Sequence, residues 1–323
     1  VYGPDGNLGT GDDEADIINM SLGGTESYHS PTWLAIKKAA EQGILVVCAA
    51  GNEGNQGTSD ERMLNSMSIN DPANAMYSIA VGAVSPFFDN IEEYSSFGPT
   101  INMVVKPEIA APSNVIVLDS EGGYTSGAWR GTSFSAPHIS GALALLADYL
   151  EENLSKINRR DLSWATLMYT ASPLFMQEGG NLVEFEDLAV GAGVVNLTKA
   201  FNVLSSHTIS NENYPQMVTV LPKRLPTGLC NSSSLDKADF FPYFDRLFVG
   251  QTLVFNFSIF ASKETVFDVS LSGNISDVLI LNSDPSFDFS PPVYYYEINI
   301  SVRSNASEGY YVGKIIFNDS IYG

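Results

Sequence analysis

Ser133 stands in the run Gly131-Thr132-Ser133-Phe134-Ser135-Ala136-Pro137-His138, which opens a segment of Ala, Ser and Leu that reads as a helix over 132–153. A serine at a helix N-terminus lies in the positive field of the macrodipole, beside backbone N–H groups that have no intrahelical partner. Those groups can hold a developing oxyanion while the hydroxyl attacks a carbonyl carbon. An ordinary helix cap would also place Ser there, so the hydroxyl alone decides nothing. The small side chains after it imply a helix buried closely against a sheet. Asn52, in Ala49-Ala50-Gly51-Asn52-Glu53-Gly54, offers a side-chain N–H at the end of an apolar run, although Asn-Glu-Gly is equally good turn chemistry. A third segment, Asn19-Met20-Ser21-Leu22-Gly23-Gly24, closes another apolar run.

The elements that must position these residues alternate in type. Residues 17–22 and 44–50 read as strands, 31–42 as a helix and 77–84 as a further strand, with Gly43 where a helix C-cap belongs. Strands interleaved with helices predict an α/β fold, a parallel sheet covered on both faces in three layers. Beyond residue 202 the pattern changes to alternating β-branched and aromatic runs at 252–260, 265–271, 278–281, 294–302 and 310–317, separated by Gly, Asn, Asp, Ser and Pro. This predicts an all-β sandwich. The expected organisation is an α/β domain over 1–202, linker and loops over 203–244, and a sandwich over 245–323 that could be cut short. Charge changes at the same boundary: 25 acidic against 9 basic side chains before it, 12 against 7 after it.

The whole chain of 323 residues has a net charge of −21, which argues against a nucleic-acid partner, since phosphate contacts come mainly from Lys and Arg. Its two cysteines, Cys48 and Cys230, cannot form a disulfide scaffold or a multi-cysteine zinc site. Cys48, inside the 44–50 run, reads as a core residue. No apolar run approaches the ~20 residues of a membrane span. The chain begins with Val and no signal-like segment precedes the folded pattern, which points to a processed or partial chain.

Taken together, the motifs resemble those of the subtilisin-type serine proteases, the subtilases, in order and in several independent pieces from about Ala15 to Ala200. The family's Gly-Thr-Ser-x-x-x-Pro-His pattern carries the nucleophile, which the resemblance places at Ser133. It makes Asn52 the side-chain oxyanion donor. It makes Ser21, Leu22, Gly23 and Gly24, with Ala50 and Gly51, the segments that pair with the substrate backbone and line the first specificity pocket, where glycine permits close approach. Asp71-Pro72-Ala73 resembles the family's cis-proline segment. Ser95-Ser96-Phe97-Gly98-Pro99, Lys106-Pro107-Glu108-Ile109-Ala110-Ala111-Pro112 and Gly191-Ala192-Gly193-Val194-Val195-Asn196 also match subtilase stretches. The implied activity is serine endopeptidase action on a polypeptide substrate, with no cofactor required.

The resemblance is incomplete in one respect. Subtilases carry their acid in Asp-Ser/Thr-Gly and their base in His-Gly-Thr, both upstream of the substrate-pairing strand. Neither motif occurs in this chain. His138 lies five residues after Ser133, off its helical face, and matches a non-catalytic family histidine. His29, in a Ser/Pro loop, and His207, in the expected linker, offer no named role. The chain alone is therefore expected to be nearly inactive, since removing the base costs roughly 10⁶ in kcat, a value measured on a subtilisin. The alternative is a pseudoprotease or peptide-binding module that keeps the groove. Sedolisins share the fold and the Gly-Thr-Ser, but place an acid where this chain has Asn52.

Asp12, Asp13, Glu14 and Asp16 form an acidic cluster that could hold a structural calcium ion, although the Asp-x-Asp-x-Asp-Gly pattern is absent. Asn-x-Ser/Thr sequons occur at Asn196, Asn231, Asn256, Asn274, Asn299, Asn305 and Asn318, and also at Asn153 and Asn19, the last expected in a buried strand. Their density, with the family, favours a secreted or cell-surface glycoprotein.

Overall fold

Consecutive residues of a strand point to opposite faces of its sheet, so a strand buried along its whole length belongs to a sheet covered on both sides. Leu45–Ala49 and Ser78–Val84 are such strands. In the computed structural model they are the two central members of a four-stranded parallel sheet, order β1-β2-β3-β4, formed by β1 (Ile17–Met20), β2 (Leu45–Ala49), β3 (Ser78–Val84) and β4 (Ile109–Pro112). The structure describes residues 15–24, 30–54, 67–75, 77–87, 90–100, 106–125, 128–150, 156–178, 181–184, 187–205, 218–222, 248–261, 265–289, 293–309, 311 and 313–319. It divides into two units, Val1–Leu197 and Thr198–Gly323.

In the first unit, α1 (Pro31–Glu41) connects β1 to β2. Its start is set by Ser30, whose hydroxyl accepts from the Trp33 N–H at 3.3 Å, with Pro31 at the first helical position. Such a cap is worth about 1 kcal/mol. The helix closes on Gly43, whose N–H donates to Ala40 while the Ile44 N–H reaches back to Ala39, at 2.9 and 3.1 Å.

The long helix α2 (Thr132–Tyr149) crosses all four strands. Its buried face runs Thr132, Ser135, Ala136, Ile139, Ala142, Leu143 and Leu146, the three-and-four spacing of one helical stripe. Ser135, Ala136 and Ala142 keep the helix axis near the sheet, while Ile139, Leu143 and Leu146 each contribute about 1.5–3 kcal/mol by burial. The helix α3 (Lys156–Thr170) packs beside it, and Thr166 and Thr170 turn their buried hydroxyls back onto the carbonyls of Leu162 and Thr166. A hairpin of β5 (Phe175–Glu178) and β6 (Asn181–Glu184) and a short helix α4 (Asp187–Val190) follow. The helix α5 (Leu197–Ser205) follows.

The second unit carries two antiparallel sheets. One has the order β10-β12-β8-β7, from β7 (Val218–Pro222), β8 (Thr252–Ala261), β10 (Leu279–Leu281) and β12 (Val293–Val302). The other is β11-β9-β13, from β9 (Thr265–Gly273), β11 (Ser286–Phe289) and β13 (Gly313–Asp319). Ile259, Ile298 and Ile300 of the first sheet share a core with Phe267 and Val269 of the second, and the ring of Phe287 stacks on that of Tyr296 at 4.2 Å between centroids. This is the sandwich the alternation predicts. Val218–Pro222, within the stretch expected as linker and loops, is a strand paired to β8; the other residues of 206–247 lie outside the described ones.

Candidate functional site

The site gathers at the carboxyl ends of the parallel strands, where open α/β sheets usually bind their ligands. Ser21 follows β1, Gly51 and Asn52 follow β2, and Ser133 opens α2 behind β4. Ser133 is the second residue of α2, so its N–H has no intrahelical acceptor.

Pro137 shapes this end of the helix. It stands four residues after Ser133 and has no N–H, so the Ser133 carbonyl loses its helical donor. The Ser21 hydroxyl supplies one, donating to the Ser133 carbonyl at 2.8 Å, while Ser133 Oγ lies 3.4 Å from the Ser21 carbonyl. The Asn19 amide donates to Ser21 Oγ at 3.0 Å, and Ser140, about two turns along α2 from Ser133, donates to Asn19 Oδ1 at 2.9 Å. Asn19, expected in a buried strand, is exposed, and among the described residues β1 is an edge strand of its sheet.

Asn52 is aimed by Thr132. The Thr132 N–H donates to Asn52 Oδ1 at 2.9 Å, and the Thr132 hydroxyl is shared between Asn52 Oδ1 and the Gly51 carbonyl, each at 3.2 Å. With the oxygen of the amide engaged, Nδ2 remains the donating end, next to the turn that carries Ser133. The Asn52 main chain is fixed separately: its N–H donates to Glu53 Oε2 at 2.7 Å, which also accepts from Asn70 Nδ2 at 2.7 Å and Ser96 Oγ at 3.2 Å. Gly51, at φ +121°, is required here, since a Cβ would lie 2.6 Å from both Glu53 Oε2 and Ser96 Oγ.

The structure thus joins Ser133 to Ser21 and places Asn52 against Thr132. Gly23 and Gly24 run beside Asn70 and Asp71, Gly24 donating to the Asp71 carbonyl at 3.0 Å. Leu22 is 56% exposed. Ala50 is buried, its N–H on the Val81 carbonyl and its own carbonyl accepting from Asn70. The Asp71-Pro72 bond is cis, as are Gly98-Pro99 and Lys106-Pro107.

His138 is exposed and its Nδ1 lies 2.7 Å from the Phe134 carbonyl on its own helix, so the ring is turned along α2 and not toward Ser133. His29, His207 and Cys230 lie outside the described residues, as do Asp12, Asp13 and Glu14 of the acidic cluster. Among the described residues no group of three or more His, Cys, Asp or Glu side chains could hold a metal ion, and no helix is long and apolar enough to cross a membrane.

Four residues to which the sequence assigned no role contact this machinery. Glu53 and Thr132 lie inside quoted motifs but show their roles only in three dimensions. Tyr94 and Ser113 reach Gly131 from other segments: the Gly131 N–H donates to Tyr94 Oη at 3.1 Å and to Ser113 Oγ at 3.0 Å.

A family model described as the subtilase family matches residues 7–193. The major intracellular serine protease of Bacillus subtilis (strain 168) is 37% identical over 161 residues, 50% of this chain and 46% of that protein. Subtilisin of Bacillus pumilus is 34% identical over 165 residues, 51% of this chain and 54% of that protein. The chain spans about half the length of these relatives. The solved prenylagaramide maturation protease PagA is 25% identical with a TM-score of 0.46, over 59% of this chain and 62% of that one.

Proposed function

The chain belongs to the subtilase family, and on that premise we propose that it carries the nucleophile and the oxyanion hole of a serine endopeptidase. Ser133 attacks the scissile carbonyl of a polypeptide. Its own N–H and Asn52 Nδ2 hold the oxyanion of the tetrahedral intermediate, and collapse expels the amine to leave an acyl-enzyme. Ser21–Gly24 and Ala50–Gly51 flank the substrate backbone. The observation that carries this reading is the pairing of Thr132 with Asn52 Oδ1, which occupies the amide oxygen and leaves Nδ2 as the donor beside the residues that open α2.

The proton acceptor is a histidine from outside this chain, because none of its three histidines stands in a His-Gly-Thr motif and His138 is committed to its own helix. The isolated chain then keeps only oxyanion-hole catalysis and is nearly inactive. Adding imidazole to the chain with a p-nitrophenyl peptide ester tests this. The expected result is a burst of p-nitrophenolate stoichiometric with protein, much faster with imidazole than without it, and absent from Ser133→Ala. A chain that binds the peptide but never acylates, with or without imidazole, is instead the pseudoprotease. An equally fast burst without imidazole overturns the expected inactivity.

Export is part of the same proposal, and the sequons carry it, since the matched relatives include proteins named as intracellular. Asn274, Asn305 and Asn318 are exposed, whereas the Asn196 amide donates to Ser172 Oγ at 3.0 Å. Peptide mapping of native material should find glycan at the first three before Asn196. Unmodified asparagine at all of them removes the support.

A further inference from the structure

The N-cap residue of α2 is Gly131, at φ 136° and ψ 151°, which has no side chain of its own to cap the helix. That φ is rarely adopted by residues with a side chain, and such a conformation persists only where its surroundings over-determine it. Gly131 lies two residues before Ser133, so a rotation of its peptide would swing both the Ser133 hydroxyl and its N–H.

Two side chains from elsewhere hold both polar groups of Gly131. Its N–H is shared between Tyr94 Oη and Ser113 Oγ, and its carbonyl accepts from Ser113 Oγ at 3.0 Å. Tyr94 Oη lies 2.7 Å from Ser113 Oγ. Only one assignment of protons satisfies the ring. Ser113 gives its single proton to the Gly131 carbonyl, so Tyr94 must give its own to Ser113 Oγ, and the two oxygens together receive the Gly131 N–H.

Each member of the ring is anchored. Ser113 follows β4, is fully buried, and donates its N–H to the Val84 carbonyl at 2.9 Å. The half-buried Tyr94 ring has the Arg130 guanidinium 5.3 Å from its centroid, and Arg130 pairs with Glu92 at 3.1 Å. Burial is the largest influence on the Tyr94 phenol and pushes its pKa up, keeping it protonated as a donor at neutral pH.

We propose that Tyr94 and Ser113 are positioning residues, a hydroxyl clamp on Gly131 that sets the aim of Ser133. The clamp fixes the N-cap residue and acts on the reacting atoms through Thr132 and the two peptide units that flank it, without touching substrate. It rests on the reading of Ser133 as nucleophile.

The test is labelling of Ser133 in the chain by a peptidyl fluorophosphonate, with imidazole present, resolved into the maximal rate kinact and the half-saturating concentration KI. Ser133 Oγ bonds to phosphorus, fluoride leaves, and imidazole takes the hydroxyl proton. Tyr94→Phe and Ser113→Ala should each lower kinact about five- to tenfold, the scale of one neutral hydrogen bond, with KI unchanged within twofold. Tyr169→Phe, a half-exposed tyrosine on α3, should change neither. Tyr94→Phe removes one oxygen from a half-buried site, so it decides the matter alone if Ser113→Ala does not fold. Unchanged kinact in Tyr94→Phe, or a rise in KI alone, overturns the clamp while leaving the nucleophile in place. A wild-type chain that never labels Ser133 overturns both.

Discussion

The Ser21 hydroxyl donates to the main-chain carbonyl of Ser133 at 2.8 Å, filling the acceptor that Pro137 leaves without a helical donor. The proline of the Gly-Thr-Ser-x-x-x-Pro pattern therefore does more than interrupt a ladder: it frees the carbonyl through which the end of β1 is tied to the residue proposed to react. This makes the two residues energetically dependent on each other. Ser21→Ala should lower the chain's stability by about 0.5–1 kcal/mol, at the low end for a hydrogen bond because the site is partly exposed. In a Pro137→Ala background, where residue 137 regains its N–H, the same change should cost less. Urea unfolding of the four chains of the cycle measures the coupling, and additive effects would show that the carbonyl does not link them.

Asn52→Ala should slow imidazole-assisted acylation about 10²–10³-fold, the loss recorded for an oxyanion-hole asparagine in a subtilisin. Thr132→Val should produce a smaller loss in the same assay, because it removes a hydroxyl that orients the amide and leaves the amide itself. Burst rates of the two variants at equal concentration decide the order. A Thr132→Val loss as large as that of Asn52→Ala would contradict the aiming role.

The features that were legible before the structure are those with a single-chain period or motif. The buried runs that became β2 and β3, the helix over 31–42 closed by Gly43, and the helix opened by Gly131-Thr132-Ser133 all announce themselves locally. Ile109–Pro112 did not read as a strand, because four residues ending in proline resemble a loop until β3 lies beside them. The helix α3 was hidden by its polar and β-branched residues, whose hydroxyls are satisfied by its own carbonyls. Strand β7 sits in a Pro- and Asn-rich stretch and owes its conformation to pairing with β8. Tyr94 and Ser113 were invisible for another reason: their function is a shared contact with Gly131, and nothing in the spacing of three residues from three segments reports that.

Cys48 is fully buried on β2, and burial pushes its thiol up to about 12. The thiolate is the reactive form, so at pH 8 the folded chain should not be alkylated at Cys48 by iodoacetamide. Denatured chain should react at this position readily. Mass spectrometry after a short exposure in each state gives the comparison, and modification of folded protein would show that the strand opens to reagent.

Lys106 and Glu108 form an ion pair of 2.8 Å with side chains 0% and 2% exposed, where the chain enters β4 beside β3. Both charges are further satisfied: Lys106 Nζ donates to the Ser78 carbonyl at 2.8 Å, and Glu108 Oε2 accepts the Ala80 N–H at 2.6 Å. The pair thus fastens the lead-in to β4 onto β3, which in turn fixes where Ser113 and α2 begin. Desolvating both groups offsets much of their attraction, so the pair itself need not be strongly stabilising. Removing one partner is different, because it strands the other charge in the interior. Lys106→Met should destabilise the chain by about 3–5 kcal/mol. Lys106→Met combined with Glu108→Gln should recover a large part of that loss, since neither member of the pair is then left as an unpaired buried charge. Guanidinium unfolding of the single and double variants distinguishes the two cases. A double variant no more stable than the single would mean that the hydrogen bonds to Ser78 and Ala80, and not the charges, hold β3 and β4 in register.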